Sequence, residues 1–250
     1  MTDSRTNPPS GSGWLSAALP AWFWVSFSLA GVILMFVPGI DIAVSGFFAS
    51  GVDGFPLRSS FALHVVNDGV LWCARIVLVT LVVAIAVGVF HRWPYSRIRP
   101  VMFLLVVYVI GAGLVVNELL KDGMGRARPA HLAMFGGDRS FTPAFVPSTE
   151  CASNCSFTSG HVAFAAMPIA GWFLAGYRMR ALWLAGGLLF ASTVGYARIA
   201  VGAHFLSDVV FSIFFMWLVM ALSAFALLGR RASRLEPVPH ARAVPARQPT

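Results

Sequence analysis

Long apolar segments with almost no charge constrain this chain more than any other feature. Six runs approach the length of about 20 mostly apolar residues that a membrane-spanning helix needs. These runs are Trp22–Val37, Val70–Phe90, Val101–Asn117, His161–Tyr177, Ala181–Tyr196 and Phe205–Leu228. Hydrophobic residues make up 58% of the 250 residues and charged residues only 11%, against about 25% charged residues in soluble domains. The sequence therefore predicts an all-α, polytopic membrane protein, a bundle of six transmembrane helices.

The arginines predict the orientation of this bundle because they fall in alternate connections. They lie between the second and third runs, between the fourth and fifth, and after the sixth: Arg92, Arg97, Arg99, Arg178, Arg180, Arg230, Arg231, Arg234, Arg242 and Arg247. Short cytoplasmic loops carry the excess of Arg and Lys in membrane proteins, so we expect both termini to be cytoplasmic. The loops after the first, third and fifth runs, including residues 118–160, then face outward.

Composition divides the chain into three parts. Residues 1–13 predict a disordered lead, residues 14–228 the membrane domain, and residues 229–250 a disordered, Arg/Pro-rich cytoplasmic tail. No clear small-residue cleavage site follows the first run, which we interpret as an uncleaved anchor. The net charge of +8 is scattered between apolar runs, which argues against nucleic-acid binding and leaves bilayer lipids as the surrounding partner.

Three polar clusters, all expected on the outer face, call for an explanation other than packing. The first cluster contains Arg198, His204 and Asp208. His204 and Asp208 are four residues apart, so on a helix they share a face. We expect Asp208 to accept a hydrogen bond from one ring nitrogen, which leaves the other free as nucleophile or ligand. Arg198 lies six residues before His204, a spacing that a tight turn at Gly202 can close. On spacing alone, a structural pair and a metal site that includes His161 both stay open.

The second cluster is Thr158-Ser159-Gly160-His161, where the fourth run begins. Unpaired backbone N–H groups at a helix N-terminus form a ready anion site. Thr158 or Ser159 is a candidate cap, and Gly160 would let an anion approach the backbone closely. His161 would then border the anion. An ordinary helix cap is the alternative.

The third cluster supplies fixed positive charge after the third run. Arg128 can grip phosphate oxygens bidentately, and Lys121 acts as a point charge; Arg126 lies between them. Solvated loop charge is the alternative for each residue alone. Together the three clusters suit phosphoryl transfer, where catalysis is mostly positioning and neutralisation of oxyanion charge. No spacing that demands chemistry involves the remaining histidines, His64, His91, His131 and His240.

Three cysteines are too few for a disulfide scaffold. Cys151 and Cys155 share a short polar loop and are expected to form a disulfide if the loop faces an oxidising compartment; metal binding and no role at all are the alternatives. Cys73 lies in or beside an apolar run and is interpreted as core.

The three clusters resemble the tripartite signature of the phosphatidic acid phosphatase type 2 superfamily. That signature reads Lys-x6-Arg-Pro, Pro-Ser-Gly-His and Ser-Arg-x5-His-x3-Asp. The first motif is intact from Lys121 to Pro129, Thr158 replaces Pro in the second, and Ala197 replaces Ser in the third. The agreement runs from about residue 100 to residue 215. Short segments around Asn117, around Asn154-Cys155-Ser156-Phe157 and after His204, with the cysteine pair, resemble the lipid A 4′-phosphatase branch.

This resemblance implies a metal-independent phosphoric monoester hydrolase without a cofactor, acting in two steps. His204 would attack phosphorus and form a phosphohistidine, oriented by Asp208. His161 would protonate the leaving oxygen and then activate water. The groups that would hold the phosphate oxygens are those of Lys121, Arg128, Ser159, Gly160 and Arg198. Arg126 is a possible accessory to them.

The expected substrate is an amphiphilic phosphorylated lipid. We expect a lipid A phosphatase, with the 4′-phosphate favoured, in a bacterial inner membrane, its active site on the periplasmic face. Undecaprenyl diphosphate and phosphatidylglycerophosphate are alternative substrates. A non-catalytic phosphate-lipid binding or transport protein would need the cations but not the pair His204 and Asp208. A metal-dependent hydrolase that uses these two residues and His161 has few carboxylates to build on.

Overall fold

The computed structural model describes residues 18–229. The predicted lead, residues 1–13, and the tail from residue 230 onward lie outside the described residues. Within 18–229 the chain forms helices and no β-strand, apart from one isolated bridge between Leu132 and Arg139. The predicted all-α class is therefore confirmed.

Seven helices organise the described chain. They are α1 (Ala21–Phe36), α2 (Gly39–Gly46), α3 (Phe61–Phe90), α4 (Tyr95–Asp122), α5 (Gly160–Leu174), α6 (Tyr177–Ala200) and α7 (Leu206–Leu228). Four of them, α3, α4, α6 and α7, are long and apolar enough to cross a membrane, and α1 with α2 makes a fifth candidate that is bent by 80°. The fourth predicted run, His161–Tyr177, corresponds to α5, which is shorter than a full span.

α3 and α4 are among the helices that extend further than their apolar runs. α3 begins at Phe61 rather than at Val70, and its added turns carry polar residues. α4 ends at Asp122 rather than at Asn117, so Lys121 lies in a last helical turn and not in a loop. Both differences have the same cause: hydropathy marks the part of a helix in apolar surroundings, whereas the helix itself continues into a polar site.

Glycines bring the central helices close together. α6 packs against α5 at Gly187, where a Cβ would lie 2.6 Å from Ile169 Cγ1, and against α7 at Gly195, where a Cβ would overlap Val209. α1 packs on α7 through Phe23, whose ring is 5.7 Å from that of Phe214. Small residues at such crossings let the helix backbones approach.

The site lies at one end of this bundle. The end of α4, the beginning of α5, the end of α6 and the beginning of α7 carry the three signature motifs. The connection from α4 to α5, residues 123–159, folds over this end through short 3₁₀ turns at Pro129–His131 and Ala133–Phe135.

Candidate active site

The residues of the three motifs come together around His161, in the first turn of α5. The charges of Arg198, Lys121 and Arg128 act on its ring, and the ring of His204 lies near it. Arg128, His161 and Arg198 line one pocket with a volume of about 300 Å³. His204 follows the pocket residue Ala203 in sequence and is 1% exposed. Residues of all three motifs therefore meet at this pocket, with Lys121 and His204 close to the His161 ring.

His204 is oriented by a backbone carbonyl. Its Nδ1 lies 2.7 Å from the carbonyl oxygen of Ser156 and 3.7 Å from Oδ2 of Asp208. Since a carbonyl only accepts, Nδ1 carries the proton and Nε2 keeps a free lone pair. The expectation of a direct ring–carboxylate hydrogen bond is therefore corrected. His204 precedes α7, which begins at Leu206, so the helical i, i+4 rule does not govern this pair.

Burial sets the charge of His204. Loss of solvent lowers the pKa of its ring to about 4, although the carboxylate of Asp208 opposes this shift. The ring is consequently uncharged at neutral pH, the form that a nucleophile or a general base requires.

Asp208 holds the loop that orients His204. Its Oδ2 accepts from Ser156 Oγ at 2.5 Å and from the Phe205 N–H at 2.8 Å, and its Oδ1 accepts from Arg126 Nη1 at 2.6 Å. The carboxylate thus caps the start of its own helix and fixes the residue whose carbonyl holds the His204 ring. Asp208 is fully buried, so it acts through these contacts rather than on solvent-exposed phosphate.

Arg126 is committed to the protein interior. It is 1% exposed, and its guanidinium donates to Asp41 Oδ2 at 2.9 Å, to Ser207 Oγ at 2.8 Å and to the Thr142 carbonyl at 2.8 Å, besides Asp208. Four of its five N–H protons are used by these bonds. The residue is absent from the pocket lining that Arg128 and Arg198 contribute to. We therefore assign Arg126 to the support of α7 instead of the accessory phosphate contact that the sequence indicated.

Asp41 completes this support and was missed from the sequence. Its Oδ1 accepts from the Ser207 N–H at 2.9 Å and its Oδ2 from Ser207 Oγ at 2.5 Å, in addition to Arg126. The side chain is 1% exposed. An aspartate in the apolar stretch between the first two runs was the available signal, because ionisable groups are costly there.

The loop between Cys151 and Cys155 positions the cation of Arg128. These cysteines form a disulfide with Cα atoms 5.6 Å apart. Inside the loop, the carbonyl of Asn154 accepts from Arg128 Nε at 3.0 Å and from Nη2 at 2.7 Å. Burial lowers the pKa of Arg128, but from so high a starting value that the group stays charged. One short loop therefore orients Arg128 directly, and Ser156 just after it orients His204.

The second motif contributes hydroxyl and backbone groups, with two differences from expectation. The N–H of Ser159 donates to Ser212 Oγ at 2.8 Å, so it is not free for an anion. A Cβ at Gly160 would overlap the carboxamide of Asn117, so the space left by the missing Cβ is occupied by the Asn117 side chain. Among the residues described, Ser159 Oγ and Arg198 Nε are buried and have no partner, which leaves two donors for phosphate oxygens.

One wall of the pocket was not predicted at all. Arg58, His64, Asn67 and Asp68 line it from the first turns of α3 and the turn before, and His131 lines it from the loop. His64, Asn67 and Asp68 follow i, i+3, i+4 spacing, which places them on one helix face. This spacing could have identified the polar face from the sequence, but the predicted helix began only at Val70.

Known proteins share this sequence pattern. The family model of the PAP2 superfamily matches residues 100–231. A lipid A 4'-phosphatase of Francisella tularensis subsp. novicida (strain U112) is 32% identical over 215 residues, which cover 77% of this chain and 90% of the relative. A lipid A 4'-phosphatase of Rhizobium leguminosarum is 31% identical over 236 residues, covering 85% and 95%. A lipid A 1-phosphatase of Rhizobium etli is 36% identical over 106 residues, 42% of this chain and 41% of the relative. No solved structure matches significantly.

Proposed function

This chain belongs to the PAP2 superfamily, and from that premise we propose that it removes the 4′-phosphate of lipid A. It is a membrane phosphatase, a phosphoric monoester hydrolase. Relatives named lipid A 4'-phosphatase align over most of both chains, whereas those named lipid A 1-phosphatase align over less than half. The observation that carries the catalytic proposal is the buried, uncharged His204 beside a pocket lined by Arg128, His161 and Arg198.

In the first step, His204 Nε2 attacks the phosphorus of the monoester. The Nδ1–H bond to the Ser156 carbonyl holds the ring in the reactive tautomer, and the Asp208 carboxylate at 3.7 Å stabilises the positive charge that develops. A P–N bond forms while the P–O bond to the sugar breaks. His161, which takes up a proton when the anionic ester is bound beside it, delivers that proton to the departing sugar oxygen, which leaves as an alcohol.

In the second step, water attacks the phosphohistidine. His161, now unprotonated, accepts a proton from the water; the P–N bond breaks, and inorganic phosphate leaves. Lys121, Arg128 and Arg198 neutralise the phosphate oxygens in both steps, with hydroxyl or backbone donors from Ser159 and Gly160. The proposed chemistry uses only these side chains and needs no metal ion.

An apolar cleft beside the pocket supports a lipid substrate. It has a volume of about 480 Å³ and is lined by Val70, Ala74 and Val77 of α3, by Phe164 of α5 and by Trp183 of α6, among others. On the same two helices the pocket is lined by Asp68 and Leu71 and by His161, within one turn of the cleft residues Val70 and Phe164. A lipid whose phosphate occupies the pocket would therefore have its acyl chains beside this cleft, as a membrane-embedded amphiphile requires.

We propose that the chain crosses a bacterial inner membrane six times, with both termini in the cytoplasm and the active site on the periplasmic face. The clustering of arginine in alternate connections supports this orientation. The disulfide between Cys151 and Cys155 beside the site supports an oxidising compartment. In this arrangement α5 serves as a short crossing whose first turn lies in the site.

Purified protein in detergent, incubated with lipid A, tests the activity. Mass spectrometry is expected to show loss of one phosphate, and fragment ions to assign the loss to the 4′ position. His204→Ala is expected to abolish turnover, while Arg139→Ala, at an exposed loop position, retains it. Lipid A that keeps both phosphates while undecaprenyl diphosphate or phosphatidylglycerophosphate is cleaved would overturn the substrate assignment.

Two further measurements separate the proposed mechanism from its competitors. Acid-sensitive, alkali-stable ³²P on the protein is expected after quenching, and it should be absent from His204→Ala. Turnover should survive a chelator; loss of turnover with recovery on metal addition would favour a metal hydrolase. Full function of His204→Ala in cells would favour a binding or transport protein.

A further inference from the structure

The pocket has two chemically different walls. One wall carries the cations Arg128 and Arg198 with His161; the other carries His64, Asn67 and Asp68 of α3, with Arg58 from the turn before this helix. A phosphate monoester offers mainly acceptors, which the cations complement but Asn67 Oδ1 and the Asp68 carboxylate do not. These two groups accept hydrogen bonds, so they favour a ligand that donates them.

Asn67 provides an independent sign of such a ligand. Its side chain is only 7% exposed although it lines the pocket. Its Oδ1 is buried and has no hydrogen-bond partner among residues 18–229. A buried acceptor without a partner is costly, and native proteins rarely keep one without a purpose.

We propose that Asn67 and Asp68 bind hydrogen-bond donors of the sugar that carries the scissile phosphate. This inference rests on the proposed function. An acylated amino sugar keeps amide N–H groups and its unacylated hydroxyl groups as donors, and these can donate to Asn67 Oδ1 and to the Asp68 carboxylate. A prenyl diphosphate has no such sugar donor beside its phosphates. The two acceptors therefore select a phosphosugar lipid over a prenyl diphosphate at the same catalytic centre.

Asn67 and Asp68 have no part in the catalytic steps. Their replacement should therefore weaken recognition of the sugar and leave the phosphate-binding half of the pocket intact. Asn67→Ala and the nearly isosteric Asp68→Asn are expected to lower kcat/KM for lipid A by about 10-fold each, the value of one well-placed hydrogen bond. Orthovanadate, which has no sugar, occupies only the phosphate half. Its inhibition constant is expected to stay within about twofold in Asn67→Ala, and not to rise in Asp68→Asn, because that variant removes a negative charge that acts on Arg198.

A matched control is Val65→Ala on the same turn of α3, where the side chain is 53% exposed and does not line the pocket. It should match the wild type in both measurements, and thermal unfolding in detergent should show all three variants folded. Equal weakening of lipid A turnover and of vanadate inhibition would overturn the inference, as would no change in either variant. Wild-type protein that leaves lipid A intact would instead overturn the proposed function, and this inference with it.

Discussion

Replacing Arg126 tests whether it supports α7 or binds phosphate. In Arg126→Met, the buried carboxylates of Asp41 and Asp208 lose the cation that lies 2.9 Å and 2.6 Å from them. Removal of one partner from a buried ion pair costs about 3–5 kcal/mol, because the remaining charge stays uncompensated. In a chain of this size, that cost corresponds to a fall in Tm of about 6–20 °C. Thermal unfolding in detergent, followed by tryptophan fluorescence, measures this fall.

A second substitution sharpens the test. Asp41→Asn removes one of the two unpaired charges, so the double variant is expected to be more stable than Arg126→Met alone. The Arg139→Ala control removes an arginine whose ion pair with Asp138 is exposed, and such pairs contribute about 0–1 kcal/mol. Unchanged Tm in Arg126→Met, together with weaker inhibition by orthovanadate, would refute the supporting role and restore a direct phosphate contact.

Three further outcomes follow from the site. Because burial lowers the pKa of His204 to about 4, the unfolded chain binds a proton below about pH 6.5 that the folded protein does not bind. The stability of the wild type should therefore fall from about pH 6.5 towards about pH 4, and that of His204→Gln should fall less. Equal pH dependence of Tm in the two proteins would contradict this. Replacing both Cys151 and Cys155 by Ser should lower kcat/KM about 10-fold, since the loop that they close holds a phosphate-binding arginine through two hydrogen bonds to one carbonyl; activity equal to the wild type, with and without reductant, would show that the loop needs no bridge. Gly160→Ala should reduce folding yield and activity because its methyl group overlaps Asn117, and Asn117→Gly in the same chain should restore part of both; failure of this rescue would exclude the overlap as the cause.

Local patterns predicted the parts of the molecule that depend on local interactions. Apolar runs located the four helices that are long and apolar enough to cross a membrane. The signature motifs identified Arg128, His161 and Arg198, which line one pocket. These predictions rest on hydropathy and motif spacing, which can be read without knowing the fold.

Contacts between distant residues were not predictable in the same way. The bond from Arg126 to Asp41 joins residues 85 positions apart, and the bond from His204 to Ser156 joins a ring to a backbone carbonyl 48 positions away. No spacing rule identifies a carbonyl as a partner, because every residue has one. Spacing favoured Asp208 as the direct partner of His204 because it assumed a helix that begins only at Leu206.

Asp41 also sets a limit on how this enzyme can be divided. It lies in α2, before residues 100–231 that align with the family model, yet it contacts the second residue of α7 and the guanidinium of Arg126. A chimaera that joined the aligned segment to the first helices of another protein would bury Arg126 with only one of its two carboxylates. Any exchange of parts must therefore carry an acidic residue near the start of α2, together with the 80° bend between α1 and α2 that brings it to α7.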